Sequence, residues 1–315
     1  MKIIMKQYTH AWLAIMAIKR LERVNIPENE RKVADNLIRW FRNHRDFVVK
    51  GAWYPDAIIK DMATSHVLKY QPGDITQPGI FKKLPDTYHI FQIGKQSKFY
   101  RKAYSIAQGN LPDRCESLTH SIVDNLKMQE SEERGSPISP TGNHVATIFL
   151  MLSHYIADAH MPLHCDVRQS SEGDDIHARI EKKWDDAIRE CYKIDTINER
   201  FYYDPDGYPL QIKEKELFTW IEQEIRNRPF NSNYGSGNEN TWDFISAVTQ
   251  FSYLTAYQMI PESYDNKNLD WKVFSELNTN PGFDDFSKYI LIDAIDSISK
   301  VWLRAWKRYW DWLHR

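Results

Sequence analysis

One segment restricts the fold more than any other: the apolar stretch "NHVATIFLMLSHYIADAH" over residues 143–160. Its length and apolar character predict a helix, and Pro162 predicts that this helix ends near His160, because proline cannot continue it. The segment and its exit contain four closely spaced polar groups, which are His154, Asp158, His160 and His164. Imidazoles and carboxylates this dense are costly to bury unless a partner satisfies them. The cluster therefore predicts a bound partner within a helical core.

The rest of the chain also favours helices. Only 12 of 315 residues are glycine, which argues against a turn-rich β-sandwich or barrel. We predict loops at "GAWYPDAI", because Pro55 disfavours a helical Tyr54, and at residues 71–80. No convincing run of alternating strand residues is present. Helices are predicted at about 10–24 (with Thr9 as its cap), 28–45, 95–108, 115–130, 176–192, 241–260 and 284–313. The prediction is an all-α fold, a single compact multi-helix domain over residues 1–315 with the site between helices.

Charge and targeting signals narrow the functional classes. A net charge of -2 gives no sign of a broad nucleic-acid-binding surface. Three cysteines form no disulfide framework. The amino-terminal segment has charges among its apolar residues, so we interpret it as a mature amphipathic helix rather than a signal peptide. No run approaches the roughly 20 apolar residues of a membrane span. We expect a cytoplasmic protein without a transmembrane segment, and the sequence identifies no protein partner.

Two pairs of residues in this region have metal-ligand spacing. His154 and Asp158 are four residues apart, as are His177 and Glu181 in "GDDIHARIEKKWDD", so each pair shares one helical face. His164 lies beyond the helix end. A single pair of this kind is common by chance, but two pairs around "HMPLH" favour a metal site. Histidine and carboxylate are ligands that zinc takes.

Two neighbouring residues fit a structural role better. His160 lies about 240° around the helix from His154, given a period of 3.6 residues. It is therefore expected in the core or behind the ligands. Cys165, next to His164, is expected to be a small buried residue.

At these residues the sequence resembles a known group, the bacterial zinc-dependent phospholipases C and the related fungal single-strand-specific zinc nucleases. The motif of that group is His-x-x-x-Asp-x-x-x-x-x-His with a proline two residues before the last histidine. Here it reads "HYIADAHMPLH", and it matches at His154, Asp158, Pro162 and His164. The pair "HARIE" follows 13 residues after His164, without the longer loop of the nucleases. The resemblance is therefore closer to the phospholipase C branch.

Two earlier segments extend this resemblance. "THAWLAIMAIKRL" is similar to the first helix of the family, whose zinc-binding histidine matches His10. "GAWYPDAI" is similar to the loop whose zinc-binding carboxylate matches Asp56. A further family histidine matches His66, with His89 as the rival. The secreted members chelate one zinc through an amino-terminal Trp, whereas this chain begins "MKIIMKQY". The zinc at His10 is then weak, differently ligated or absent.

The resemblance implies a zinc-dependent phosphoric-diester hydrolase that binds two zinc ions. Whether it binds a third is left open by the sequence. Asp56, His66, His154 and Asp158 would hold one ion, and His164, His177 and Glu181 another. His10 and a shared Asp158 would serve the third. Asp56 would be ligand and catalytic base together. The alternatives are a single-strand nuclease on the same scaffold and a non-catalytic module that binds zinc for folding.

The expected substrate is a phosphodiester, a phospholipid in preference to a nucleic acid. Five aromatic residues are candidates for an apolar approach to the metals, although such residues are more often ordinary core: Trp53, Tyr54, Phe81, Tyr88 and Phe91. The stripe Trp302, Trp306, Tyr309 and Leu313 on the last helix is expected to pack against the core rather than lie on a membrane.

Overall fold

The computed structural model describes residues 6–61, 64–72, 104–131, 139–168, 176–234, 239–264 and 268–315. These residues are dominated by helices, and the predicted all-α class is confirmed. The helices are α1 (Gln7–Arg23), α2 (Glu28–Arg42), α3 (Val48–Tyr54), α4 (Leu111–Glu130), α5 (Gly142–His160), α6 (Ile176–Cys191), α7 (Glu216–Asn227), α8 (Thr241–Met259), α9 (Trp271–Leu277) and α10 (Phe283–Leu313). The single domain over residues 1–315 stays a prediction.

Strands are short and lie at the margins of the helical body. Two antiparallel pairs occur in the described residues, β1 (Lys69–Pro72) with β2 (Tyr104–Gln108) and β3 (Ile194–Asp195) with β4 (Arg200–Phe201). Strand β1 also meets the end of the central region, where the Tyr70 amide donates to the Cys165 carbonyl at 2.9 Å. This contact holds the segment that carries His66 close to the segment that carries His164.

Helix α5 lies at the centre of the fold. Thr141 accepts a hydrogen bond from the His144 amide and caps the helix, which ends at His160 as predicted. Pro162 begins a 3₁₀ turn that runs to His164. Helices α1, α3, α4, α8 and α10 all pack against α5, so nearly every residue from Val145 onward is buried. A helix buried on all sides must be apolar nearly all round, which explains the composition of this stretch.

Two local predictions are wrong. The segment "GAWYPDAI" is helical rather than a loop, because α3 continues through Pro55 into a π-helical turn, Pro55–Ile59. Tertiary packing outweighs the local preference: Gly51 lies so close to α5 that a Cβ there would come within 2.5 Å of Leu150 Cδ1. The predicted helix at 95–108 is also wrong, since 104–108 form β2 and the preceding part lies outside the described residues.

A buried arginine fixes α1 against α10. Arg20 is fully buried, and its Nε donates to Asp296 Oδ1 at 2.7 Å. Its Nη1 and Nη2 donate to the carbonyls of Ile225 and Arg228, both at 2.8 Å. Every one of these partners lies outside α1. The guanidinium therefore joins α1, the end of α7 and α10 in one network.

The last helix packs as expected along most of its length. Trp302, Trp306 and Tyr309 are buried, while Leu313 at the end is exposed. Within the residues the structure describes, no helix combines the length and apolar character that crossing a bilayer requires.

Candidate metal centre

All eight predicted ligand residues lie close together, although they come from separate parts of the chain. Their side chains form three groups, each with ligand atoms within 4.8 Å of one another: His10, His154 and Asp158; Asp56, His66 and His154; and His164, His177 and Glu181. Helix α5 contributes the shared residues His154 and Asp158. The centre therefore lies where five other segments meet the last two turns of α5.

The start of α1 is held in place by α6. Thr9 was predicted to cap this helix, but it lies inside it, and its side chain makes no cap. Asp185 of α6 takes over this role, because its Oδ1 accepts the backbone N–H groups of Tyr8 and Thr9 at 3.0 and 3.1 Å. Asp185 is one helical turn beyond Glu181. The same face of α6 thus presents a candidate ligand and fixes the position of His10.

The distances among Asp56, His66, His154 and Asp158 are near those of a tetrahedral metal site. His66 Nδ1 lies 2.7 Å from Asp158 Oδ2, and His154 Nε2 lies 3.3 Å from each of these atoms. Asp56 Oδ1 lies 3.7 Å from both histidine nitrogens. A tetrahedral zinc with bonds of about 2.0–2.1 Å has its ligand atoms about 3.3 Å apart. The separations of 2.7–3.7 Å around the two histidine nitrogens are therefore compatible with one bound ion.

Hydrogen bonds behind these ligands orient the two rings. His154 Nδ1 donates to the Ala52 carbonyl at 2.6 Å, and His66 Nε2 donates to Asp61 Oδ1 at 3.0 Å. The opposite nitrogen of each ring then keeps its lone pair for the centre, as is usual for metal-binding histidines. The Tyr155 hydroxyl also donates to Asp61. Asp61 was not predicted, and its spacing from His66 gave no periodic signal.

The group of His164, His177 and Glu181 contains three candidate ligands among the described residues. His177 Nε2 lies 2.9 Å from His164 Nε2 and 3.0 Å from Glu181 Oε1. The His164 and Glu181 atoms are 3.8 Å apart. The two imidazole rings are nearly perpendicular, at 83°. Three protein ligands with a free fourth position are typical of catalytic zinc, whereas structural zinc is usually enclosed by four.

His10 and His154 cannot both point at one ion, because their rings are stacked. The ring centroids are 3.8 Å apart with an interplanar angle of 17°. Since imidazole lone pairs lie in the ring plane, nearly parallel rings direct them to separate positions. Asp158 faces both: Oδ2 lies beside His66 and His154, and Oδ1 lies 3.8 Å from His10 Nε2. Asp158 therefore has the geometry of a carboxylate shared between two cation positions.

The electrostatics of the centre are strongly perturbed. Burial alone would lower the pKa of His154, but Asp158 and Asp56 raise it to about 9. Burial lowers the pKa of His164 to about 3, and burial together with His154 lowers that of His10. Burial also raises the pKa of Asp56. Without a metal ion, these buried carboxylates are neutralised by protonated histidine and by the Lys6 ammonium, which pairs with Glu181.

The donor set fits metal ions in one further respect. Among the described residues, the buried atoms His10 Nδ1, Asp56 Oδ1 and His164 Nδ1 have no hydrogen-bond partner. Buried polar atoms are seldom left without a partner in folded proteins. Of these atoms, Asp56 Oδ1 faces the rings of His66 and His154, where a metal ion would bind it.

The neighbouring residues of the motif behave as expected for core positions. His160 is buried and its Nε2 lies 2.8 Å from Ser297 Oγ, away from the ligand groups. Cys165 is a buried free thiol. The rival ligand His89 and three of the five candidate aromatics, Phe81, Tyr88 and Phe91, lie outside the described residues.

Comparisons with known proteins find similarity among solved structures. No protein-family model matches the sequence, and no curated protein matches it. Among solved structures, the chain is similar to the alpha-toxin isolated from Clostridium perfringens avian strain SWCP, with a TM-score of 0.44 and 16% identity. The similarity covers 96% of this chain and 64% of that chain, so this chain spans less than two thirds of the toxin's length.

Proposed function

We propose that this protein is a zinc-dependent hydrolase of phosphoric diesters, of the phospholipase C type. The observation that carries the proposal is the convergence of His and carboxylate side chains at the end of α5 into groups of three ligand atoms each, with Asp158 also beside His66 and His154. Among the described residues, the group of His164, His177 and Glu181 has three protein ligands rather than four, which favours catalysis over a purely structural role. This geometry also argues against a non-catalytic module that would bind zinc only for folding.

We assign the ligands as follows. Asp56, His66, His154 and Asp158 would hold one zinc, and His164, His177 and Glu181 a second. Bound at these positions, the ions would lower the pKa of a coordinated water and neutralise charge on a phosphate. His10 lies next to Asp158 and offers one further ligand atom.

The chain's own residues have defined tasks in such a reaction. Asp61 and the Ala52 carbonyl keep the rings of His66 and His154 oriented toward the centre. Asp56 Oδ1 faces the two ligand rings, so its other oxygen, Oδ2, would be the one to accept a proton from the attacking water. A carboxyl pKa raised by burial brings the group closer to the working range of a general base.

The surroundings of Asp56 favour a lipid ester over a nucleic acid. Tyr54, Ile58 and Ile59 on the same turn are 40%, 59% and 39% exposed. Trp53 lies beside the ligand rings, with its centroid 6.4 Å from that of His10. An exposed apolar rim fits acyl chains, whereas a nuclease would need aromatic platforms along a positively charged groove.

Metal analysis with parallel assays tests this function. Wild-type protein should bind at least two zinc equivalents and hydrolyse a phosphocholine diester faster than single-stranded DNA; bis-p-nitrophenyl phosphate reports general diesterase activity. His154→Ala should lose at least one equivalent and at least about a hundredfold in activity, since even residues behind the ligands are worth 10–100-fold. The matched control is His144→Ala, which removes an exposed histidine from the same helix. Full zinc loading with no activity on any of the three substrates would refute the proposal, and preference for DNA would indicate the nuclease.

A further inference from the structure

The residue immediately before α1 places a positive charge in the metal centre. Lys6 Nζ forms an ion pair with Glu181 Oε2, on the oxygen that does not face His177. The Lys6 side chain is 27% exposed, so most of it lies within the protein. Since Asp185 fixes the first turn of α1, it also fixes the point from which Lys6 extends. The ammonium therefore has a defined place beside Glu181.

Lys6 borders a small cavity together with the candidate ligands His10 and Asp158. The cavity is about 30 Å³ and is lined by Lys6, His10, Asp158 and Glu181 on its polar side. Helix α10 closes the other side with apolar residues, including Ile290 and Leu291. A space of this size holds about two water molecules at most. A cation at His10 and the Lys6 ammonium would thus compete for one enclosed volume.

Electrostatics make that competition unfavourable for a further divalent ion. Lys6 adds a repulsive positive charge at His10 and at His164, although burial is the larger cause of the low pKa of both rings. The same ammonium is attracted by Asp56 and Asp158 in addition to Glu181. In an apolar enclosure such interactions are screened less than in water. A divalent cation beside His10 would experience this repulsion twice as strongly as a singly charged group.

The charge balance of the centre is consistent with two ions and a lysine. Asp56, Asp158 and Glu181 contribute three negative charges. Two divalent ions with the Lys6 ammonium leave a net charge of two positive units, which a phosphodiester and a hydroxide would neutralise. A third divalent ion in addition would leave four positive units in a largely buried site.

We propose that the Lys6 ammonium takes the place of a third cation, so that the protein binds two metal ions and the position beside His10 and Asp158 is served by Lys6. This inference rests on the proposed function, because it concerns the number of ions in that centre. With its charge and three N–H donors, the ammonium is suited to contact a non-bridging oxygen of a bound phosphate.

The experiment counts zinc in a charge-removing variant. Wild type, Lys6→Met and the control Lys19→Met are loaded with zinc, freed of excess by gel filtration and analysed by inductively coupled plasma mass spectrometry. Lys19 lies within α1 and also forms an ion pair, with Glu222 at 2.6 Å, but it does not line the cavity. We expect two equivalents in wild type and in Lys19→Met, and three in Lys6→Met. Lys6→Gln provides the same test if Lys6→Met does not fold, as judged by circular dichroism.

The possible outcomes separate this inference from the proposed function. Three equivalents in wild type, or two in both folded Lys6 variants, would overturn the role of Lys6 and leave the metal centre intact. Fewer than two equivalents in wild type would contradict the metal centre and, with it, this inference. The wild-type measurement is also a test on its own, because three equivalents there would refute the inference whether or not a variant folds.

Discussion

Substituting Asp61 by asparagine should weaken one metal site and leave its neighbour unchanged. Asp61 Oδ1 accepts a hydrogen bond from His66 Nε2 at 3.0 Å and another from the Tyr155 hydroxyl at 3.0 Å. An asparagine keeps the size and one acceptor oxygen but removes the negative charge. His66 would then be a less basic ligand, and its ring would be less firmly oriented.

The expected magnitude follows from this arrangement. Loss of a partner behind a metal ligand typically costs 10–100-fold in metal affinity, which corresponds to about 1.4–2.7 kcal/mol. The loss should be confined to the group of Asp56, His66, His154 and Asp158, because Asp61 has no contact with the His164 group among the contacts the described residues show. Stability without metal should change by less than about 1 kcal/mol, since the Asp61 side chain is 23% exposed.

Zinc titration against a chromophoric chelator measures both sites in one experiment. Wild type should show two equivalents of high affinity, and Asp61→Asn should show one unchanged and one weakened by 10–100-fold. Asp124→Asn is the matched control, because it removes the charge of an exposed carboxyl on α4. Two unchanged affinities in Asp61→Asn would refute the assignment of His66 as a ligand, and equal weakening of both would refute the separation of the two groups.

Three further predictions concern stability. Arg20→Met should lower the free energy of unfolding by about 3–5 kcal/mol in a urea titration, because it leaves the buried Asp296 without this partner; Arg23→Met, on the exposed side of α1, should have almost no effect. Asp185→Ala should lower the free energy of unfolding by about 1–3 kcal/mol in the same assay, because the amide groups at the start of α1 lose their acceptor. A change below about 0.5 kcal/mol would contradict the capping of α1 by Asp185. The pKa of His160 is lowered to about 3 by burial and Arg228, so the unfolded chain binds the extra proton below pH 6.5. As the pH falls from about 6.5 to about 3, the free energy of unfolding should therefore decrease by up to about 1.4 kcal/mol per pH unit. A His160→Gln variant with the same pH dependence would show that His160 is not its cause.

The central part of the fold was predictable because its signals are strong and local. A long apolar segment that ends at Pro162 can form little else than a buried helix, and α5 ends at His160 as predicted. The spacing of four residues in each His and carboxylate pair is a property of one helix, so it survives whatever the tertiary arrangement is. The convergence of distant residues such as His10 and Asp56 required the family resemblance.

Other features depend on tertiary contacts that leave no pattern in the sequence. Pro55 continues a helix because Gly51 lets α3 approach α5 closely, which local preferences do not indicate. Helix α7 was not predicted at all. Asp61 and Lys6 acquire their roles only when separate segments meet at the centre. Asp185 left a partial signal, since it continues the four-residue spacing of His177 and Glu181 along α6.

The most direct test of the central claim is an anomalous difference map, collected at the zinc absorption edge from crystals of the zinc-loaded protein. We expect one peak within about 2.0–2.3 Å of ligand atoms from Asp56, His66, His154 and Asp158, and a second at the same distances from His164, His177 and Glu181. A single peak elsewhere, or a second peak with His177 and Glu181 beyond bonding distance, would contradict the proposed two-ion centre.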